Sequence, residues 1–201
     1  MPAAEAADVE LRLAHWVPPQ HPIQSMGFEP WAQSISEASD GRIAITIFPS
    51  QQLGAAPDHY DMARDGIADI THINPGYQPG RFPIIAHGEI PFLITNAKAG
   101  SRAFDEWYRA YAEKEMADVH YCLAHLHSPG TFHAKEKLTH PDDVNGKTIR
   151  PAHATMGRFV TMLGGASVQV PAPEARDVLA KGAADAITFP WNSIYLFGID
   201  S

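Results

Sequence analysis

One short signature, Gly-x-Ala-Asp followed by apolar residues, occurs twice in this chain, at 66–69 and at 182–185. Each copy follows an extended apolar segment, a proline-containing turn and a stretch of helical character. A glycine directly after a helix adopts the left-handed conformation without steric cost, so it ends the helix and returns the chain to a sheet. The duplication therefore predicts two similar β-α-β units and an α/β fold with two lobes. Because ligands tend to bind where domains meet, it also predicts a ligand cleft.

Composition allows a buried core and argues against several classes of partner. The 201 residues are 45% hydrophobic, which is sufficient for one or two domains. The formal charge of −8, without a run of Lys or Arg, argues against a nucleic-acid partner. No apolar segment is long enough to cross a bilayer, so no direct membrane insertion is expected. The single cysteine, Cys122, lies in an apolar stretch that predicts a small buried residue in a strand.

Hydrophobic periodicity predicts strands and helices in alternation along most of the chain. Strands are expected at 9–14, 42–48, 69–73 and 120–126, in a segment ending at Arg150, and in the second repeat unit from 166. Helices are expected at about 26–38, 57–64, 97–116 and 155–163. This order predicts lobe I at 1–122, lobe II at 123–190 and the start of a return hinge segment at 191–201.

The long helix at 97–116 carries four aromatic residues at three- and four-residue spacing, which predicts a stripe on one face: Phe104, Trp107, Tyr108 and Tyr111. Such a stripe is far more often packed in a core than used for a ligand. We therefore expect all four rings to be buried.

Arg150 is the first candidate for a binding residue. It stands at the predicted carboxyl end of a strand, in a loop that opens a helix. Ligands of open α/β sheets gather at the carboxyl ends of strands. A guanidinium there can hold a carboxylate through two parallel hydrogen bonds, which a lysine cannot do. The alternative is a surface arginine, or an ion-pair partner of Asp142 or Asp143.

Histidines and aromatic residues supply two further groups of candidates. His125 and His127 would share one face of a strand, and with His133 they are the basis of an alternative function, a metal-assisted hydrolase. No further ligand stands at a clear metal-binding spacing, so histidines near a cleft are favoured and no cofactor is expected. Four aromatic residues lie at predicted strand-to-loop junctions and would converge on one pocket: Trp16, Tyr77, Phe189 and Trp191.

Six stretches share the order and spacing of one known family: LRLAHW at 11–16, GRIAITIFPSQQLG at 41–54, DGIADI at 65–70, IPF at 90–92, PDDVNGKTIR at 141–150 and GAAD at 182–185. The chain resembles the DctP-like solute-binding proteins of TRAP (tripartite ATP-independent periplasmic) transporters. The resemblance implies a periplasmic-binding-protein-like fold, in which two α/β lobes close around a small organic acid. It also implies that an arginine at the position of Arg150 holds the carboxylate of that acid.

The resemblance places further cleft positions in this chain. They are Trp16, Asn74, Tyr77, His153 and Phe189, and with Arg150, Trp191, His15 and His127 they make up the candidate ligand-binding set. Many family members carry a second arginine upstream of the first, and the corresponding region here, 128–133, has none. Phe189 stands where the family commonly has a polar residue. One cation among several rings favours a monocarboxylate with an apolar or aromatic body.

The function that the resemblance implies is transport. A periplasmic protein of this family captures an organic acid and delivers it, through hinge closure, to the membrane permease subunits of a TRAP transporter. We find no nucleophile elbow, Walker loop or dinucleotide fingerprint, so no catalytic residues are expected. A metal-assisted hydrolase and a sensory ligand-binding domain on the same fold remain alternatives. The Ala-rich opening at 2–7 predicts the remnant of a cleaved leader. Because family members continue past the segment matching 191–201, a fragment with an incomplete second lobe is expected.

Overall fold

The computed structural model describes residues 7–200, which form two compact units, one up to Ile73 and one from Asn74 onward. Each unit has its own β-sheet and its own helices, which confirms the predicted α/β class. The lobe boundary expected near residue 122 stays a prediction. The leader remnant expected at 2–7 lies outside the described residues except for Ala7. Within residues 7–200, no helix has the length and apolar character that a membrane span requires.

The first unit is built on a parallel three-stranded sheet. Its strands are β1 at Val9–Ala14, β2 at Ile43–Phe48 and β3 at Ile70–Thr71, in the order β2-β1-β3. Its α-helices are α1 at Glu29–Ala38 and α2 at His59–Arg64, and a π-helical turn at Gln24–Phe28 precedes α1. All five elements are predicted from the sequence, although β3 is shorter than expected.

The carboxyl ends of β1 and β3 lie side by side because the two strands are parallel. Ala14, the last residue of β1, pairs with Thr71 at the end of β3. Ala14 is fully buried and packs with Met62 and Ala68 in the core of this unit. The residues that follow the two strands, His15 and His72 among them, are therefore brought to one edge of the sheet.

The second unit contains a mixed four-stranded sheet and three α-helices. Its helices are α3 at Ala97–Glu115, α4 at Ala154–Met162 and α5 at Ala175–Ala180. Its strands are β4 at Gly130–Ala134, β5 at Thr148–Arg150, β6 at Ala166–Ser167 and β7 at Ala186–Pro190. The sheet order is β4-β7-β5-β6, with β4 antiparallel to β7 and the other pairs parallel. Ile149, Val160, Val144 and Ala186 form the core beneath it.

The Gly-x-Ala-Asp signature has the same backbone conformation and hydrogen bonds in both units. Gly66 and Gly182 have φ of 70° and 68°, so each ends its helix in the left-handed conformation, as predicted. The aspartate three residues later then forms hydrogen bonds with the backbone of a neighbouring parallel strand. Asp69 donates its N–H to Arg12 O, and its carboxylate accepts the Arg12 N–H at 2.7 Å. In the second copy, Asp185 makes the same two bonds with the backbone of Thr148, both at 2.7 Å.

The predicted strand at 120–126 is wrong, and so is the predicted burial of Cys122. This segment is irregular, and Cys122 is exposed. Side chains of α3 satisfy its backbone instead of a neighbouring strand. Asp105 accepts the Ala124 N–H at 2.8 Å, and Ser101 Oγ accepts the Leu126 N–H at 2.8 Å. An apolar run alone does not distinguish a strand from a segment laid along a helix.

The aromatic stripe of α3 is buried only in part. Phe104 and Tyr108 are buried, as predicted, and their rings lie stacked with centroids 6.2 Å apart. Trp107 and Tyr111 remain 39% and 40% exposed, so the prediction that they are core residues is wrong. Residues four apart share a helix face, and these two pairs occupy adjacent faces, of which one is covered.

Candidate functional site

The geometry of the sheet in the second unit collects a set of side chains at one edge. Strands β5, β6 and β7 are parallel, so their carboxyl ends lie together. Arg150 is the last residue of β5, Phe189 lies near the end of β7, and Val170 follows β6. This is the strand-end position at which open α/β sheets bind ligands.

Arg150 is buried at this edge, with 1% of its surface exposed. Its Nε and Nη2 donate to the carbonyl oxygen of Val170 at 2.9 and 2.8 Å, which fixes the plane of the guanidinium. Within residues 7–200, its Nη1 is buried and has no hydrogen-bond acceptor. Burial lowers the pKa of Arg150, since desolvation disfavours the charged form.

The alternative ion pairs of Arg150 with Asp142 or Asp143 are not formed. The Asp143 carboxylate accepts the backbone N–H groups of Thr139 and His140 at the start of a short helical turn. The Asp142 carboxylate lies 3.2 Å from the ring of His140. Both carboxylates therefore interact with residues of the turn before β5 and not with Arg150. Because Arg150 is buried, the alternative that it is a surface arginine is wrong.

Tyr77 and Phe189 lie beside the buried guanidinium. The Phe189 ring centroid is 5.4 Å from Arg150 Cζ, and Phe197 contacts the same ring edge-on at 5.4 Å. The Tyr77 hydroxyl accepts the Ala172 N–H at 2.9 Å. Burial raises the pKa of Tyr77, and the positive charge of Arg150 acts in the opposite direction. A cation bordered by two aromatic rings is suited to a carboxylate with an apolar body.

Asn74 and His153 belong to the backbone framework around this cluster. The Asn74 side chain accepts the Gly76 N–H at 3.0 Å and caps the short turn that carries Tyr77. His153 caps α4, since its Nδ1 accepts the Met156 N–H at 3.2 Å. His153 Nδ1 also lies 3.2 Å from a carboxylate oxygen of Glu89.

His127 and Trp191 are exposed on the same unit. His127 lies at the end of the irregular segment, with Nδ1 2.6 Å from Ser128 O, and interacts electrostatically with Glu89 and His153. Trp191 is 69% exposed and contacts His133 edge-on at 4.6 Å. Within residues 7–200, no three His, Cys, Asp or Glu side chains are grouped as metal ligands, so His125, His127 and His133 do not form the metal set that the alternative hydrolase would need.

His15 and Trp16 lie in the first unit, where they form an aromatic cluster. The Trp16 ring stacks on His72 at 5.4 Å, and Phe28 contacts both His72 and His15, at 5.6 and 5.2 Å. His15 is fully buried, with Nε2 3.0 Å from Gln24 Oε1, and burial lowers its pKa. A part for His15 and Trp16 in ligand binding stays a prediction.

Three groups that lie around Arg150 and Tyr77 in the structure are absent from the set of site residues predicted from the sequence: Glu89, the Val170 carbonyl and Gly76. Glu89 could have been noticed as a single acidic residue in the otherwise largely apolar run from Phe82 to Leu93. The Val170 carbonyl carries no side-chain signal. Gly76 looks like an ordinary turn residue, and only the structure reveals how closely its neighbours approach.

Comparison with known proteins identifies similar chains. Residues 13–201 match the family model of bacterial extracellular solute-binding proteins, family 7 (DctP). A marine metagenome TRAP solute-binding protein, solved with 3-hydroxybenzoate, is 31% identical with a TM-score of 0.91; the match covers 96% of this chain and 61% of that one. The Rhodoferax ferrireducens TRAP protein, solved with benzoate, is 33% identical with a TM-score of 0.90, covering 94% and 60%.

A curated relative is more distant. The outer membrane transporter protein TsaT of Comamonas testosteroni is 24% identical over 187 residues, which are 92% of this chain and 55% of that protein. The chain thus spans 55% of the length of this relative and about 60% of the length of the two solved proteins.

Proposed function

We propose that this chain, which belongs to family 7 of the bacterial extracellular solute-binding proteins, the TRAP transporter type, binds a small aromatic monocarboxylate through Arg150. One observation carries the proposal. The Nη1 group of Arg150 is buried and has no acceptor within residues 7–200, while Nε and Nη2 each donate one hydrogen bond to Val170 O. Buried donors in native proteins nearly always have a partner, and a bound carboxylate would supply one.

The surroundings of the guanidinium support an aromatic body for the ligand. The Phe189 ring lies beside the guanidinium and contacts Phe197, and Tyr77 interacts with Arg150, so these groups contribute burial and ring contacts. The region at 128–133, where a second arginine is common, contains no Lys or Arg. Two similar proteins are described in complex with 3-hydroxybenzoate and benzoate. Together these features favour benzoate-like acids over dicarboxylates.

A calorimetric titration with four compounds tests this function. Benzoate and 3-hydroxybenzoate should bind, whereas benzamide, which has nearly the shape of benzoate but no charge, should bind at least about tenfold more weakly. Succinate should also bind more weakly than benzoate, because the region at 128–133 offers no second arginine to hold its second carboxylate. Equal affinities for benzoate and benzamide, or a preference for succinate, would contradict the proposal.

Delivery to a membrane transporter is a proposal for the whole protein. Members of this family act outside the cytoplasm as receptors that pass solutes to membrane subunits, and no catalytic role is proposed here. The test is uptake of labelled benzoate by membrane vesicles that carry the cognate permease subunits. Uptake that does not depend on added binding protein would contradict this role.

A further inference from the structure

The carboxylate of Glu89 lies against the turn that carries Tyr77. A methyl group added at Gly76, in the middle of that turn, would overlap both Glu89 Oε1 and His153 Cβ. The backbone of the turn is therefore in direct contact with both side chains. Their side chains are only 14% and 10% exposed, so the contact is largely shielded from water. No side chain larger than hydrogen fits at Gly76 without moving Glu89.

The second oxygen of Glu89 is tied to the start of α4. Thr155 Oγ1 donates to Glu89 Oε2 at 2.9 Å, and His153 Nδ1 lies 3.2 Å from the same oxygen. His153 is the N-cap of α4 and Thr155 is its second residue. One carboxylate thus touches the turn through Oε1 and the helix start through Oε2. Residues 76 and 155 are far apart in sequence, and Glu89 joins them, while His153 at the start of the same helix also contacts the turn at Gly76.

The 74–77 turn also fixes the position of Tyr77 next to Arg150. Asn74 caps the turn from one side, and the Tyr77 hydroxyl at its other end accepts the Ala172 N–H at 2.9 Å. Ala172 lies two residues after Val170, whose carbonyl holds the guanidinium. A small displacement of the turn would therefore change the distance between the tyrosine hydroxyl and Arg150.

We propose that Glu89 is a positioning residue for carboxylate binding, which holds the 74–77 turn against the start of α4 and so sets Tyr77 beside Arg150. Glu89 does not itself contact the acid in this proposal. The inference rests on the proposed function, because benzoate binding is the property that reports it. The two hypotheses can be tested separately, because the wild-type chain is titrated first. A lack of benzoate binding by the wild-type chain would count against the proposed function and not against the role of Glu89.

Two substitutions at Glu89 separate positioning from stability. Glu89→Gln keeps the size of the side chain and an oxygen that accepts from Thr155, so benzoate affinity should stay within about threefold of wild type. Glu89→Ala removes the contacts with both the turn and the helix, so affinity should fall by about tenfold or more. Glu106→Ala, an exposed glutamate in α3, is the matched control and should leave affinity unchanged. A folded Glu89→Ala protein with wild-type affinity would overturn the inference.

A milder pair of variants covers the case in which Glu89→Ala does not fold. Thr155→Ala removes the hydroxyl that donates to Glu89, together with one methyl group, and should weaken benzoate binding by about threefold to tenfold. Thr161→Ala removes a hydroxyl of the same helix that bonds to Gly157 O within the helix, and should have no effect on binding. Equal affinities of the Thr155→Ala and Thr161→Ala proteins would contradict a role for the bridge. Melting temperatures measured beside the affinities show whether stability alone changes.

Discussion

At the scale of single residues, the proposed binding role of Arg150 depends on its burial. The guanidinium has five donors in a fixed plane, and the Val170 carbonyl uses the edge formed by Nε and Nη2. Nη1 is left on the far side, in an environment where an unmatched donor costs about 1–3 kcal/mol. A bound ligand that accepts a hydrogen bond from Nη1 would remove this cost.

Replacing Arg150 tests that interpretation directly. Arg150→Ala should weaken benzoate binding by about 2–4 kcal/mol, because a buried charge-assisted hydrogen bond to the ligand is lost. Arg150→Lys should recover only part of this loss, since an ammonium group cannot bond to Val170 O and a carboxylate in one plane. Isothermal titration calorimetry with benzoate gives both values.

Arg102→Ala is the matched control for these two variants. Arg102 is 85% exposed and paired with Glu106 on the surface of α3, so its removal should leave benzoate affinity unchanged. A loss smaller than about threefold for Arg150→Ala would remove this residue from the binding site.

At the scale of elements, the two copies of the Gly-x-Ala-Asp signature explain why the duplication is visible in the sequence. The glycine ends the helix, and the aspartate pairs through both backbone and carboxylate with the first or middle part of a parallel strand. The aspartate thus stands at the end of the connection between two parallel strands and sets the register of the strand that follows it. This double role is a physical reason for the same residue type at both positions.

The second copy offers a test of this role. Asp185→Ala should lower the free energy of unfolding by about 1–2 kcal/mol, because the Thr148 N–H loses its acceptor at the start of β5. Chemical denaturation monitored by circular dichroism measures the change. Asp177→Ala, which removes an exposed carboxylate 3.7 Å from Lys181, should change stability by much less. Equal effects of the two substitutions would indicate that the link to Thr148 contributes nothing.

At the scale of the whole molecule, acid should destabilise the fold through histidines that are buried without charge. His59 is fully buried, and within residues 7–200 both of its ring nitrogens lack a hydrogen-bond partner. Burial, together with the nearby His15, lowers its pKa from 6.5 to about 4. The unfolded chain therefore binds a proton between these two pKa values that the folded chain does not. Stability is complete above pH 6.5 and is lost as the pH falls towards 4.

A histidine substitution isolates this contribution. Between pH 7 and pH 5, His59 should account for a loss on the order of 2 kcal/mol in the free energy of unfolding. His59→Phe should make the pH profile shallower by about this amount. Denaturation curves recorded across this pH range give the comparison. A His59→Phe profile parallel to that of wild type would contradict the assignment.

The accuracy of the sequence-based predictions depended on how local the determining interaction is. The strand at 9–14, the helix stop at Gly182 and the strand end at Arg150 follow from neighbours in sequence, and the structure confirms them. The irregular course of 120–126 does not follow from its own residues, because α3 side chains satisfy that backbone.

The sequence by itself determined the α/β class, the repeated unit and the presence of an arginine at a strand end. These features depend on backbone preferences and periodicity, which act over a few residues. Only the tertiary structure decided that Val170 O binds one edge of Arg150, and that Glu89 reaches Thr155 across 66 positions. The reason is physical: the choice of partner for a buried polar group is made by packing between distant segments, and no local pattern encodes it.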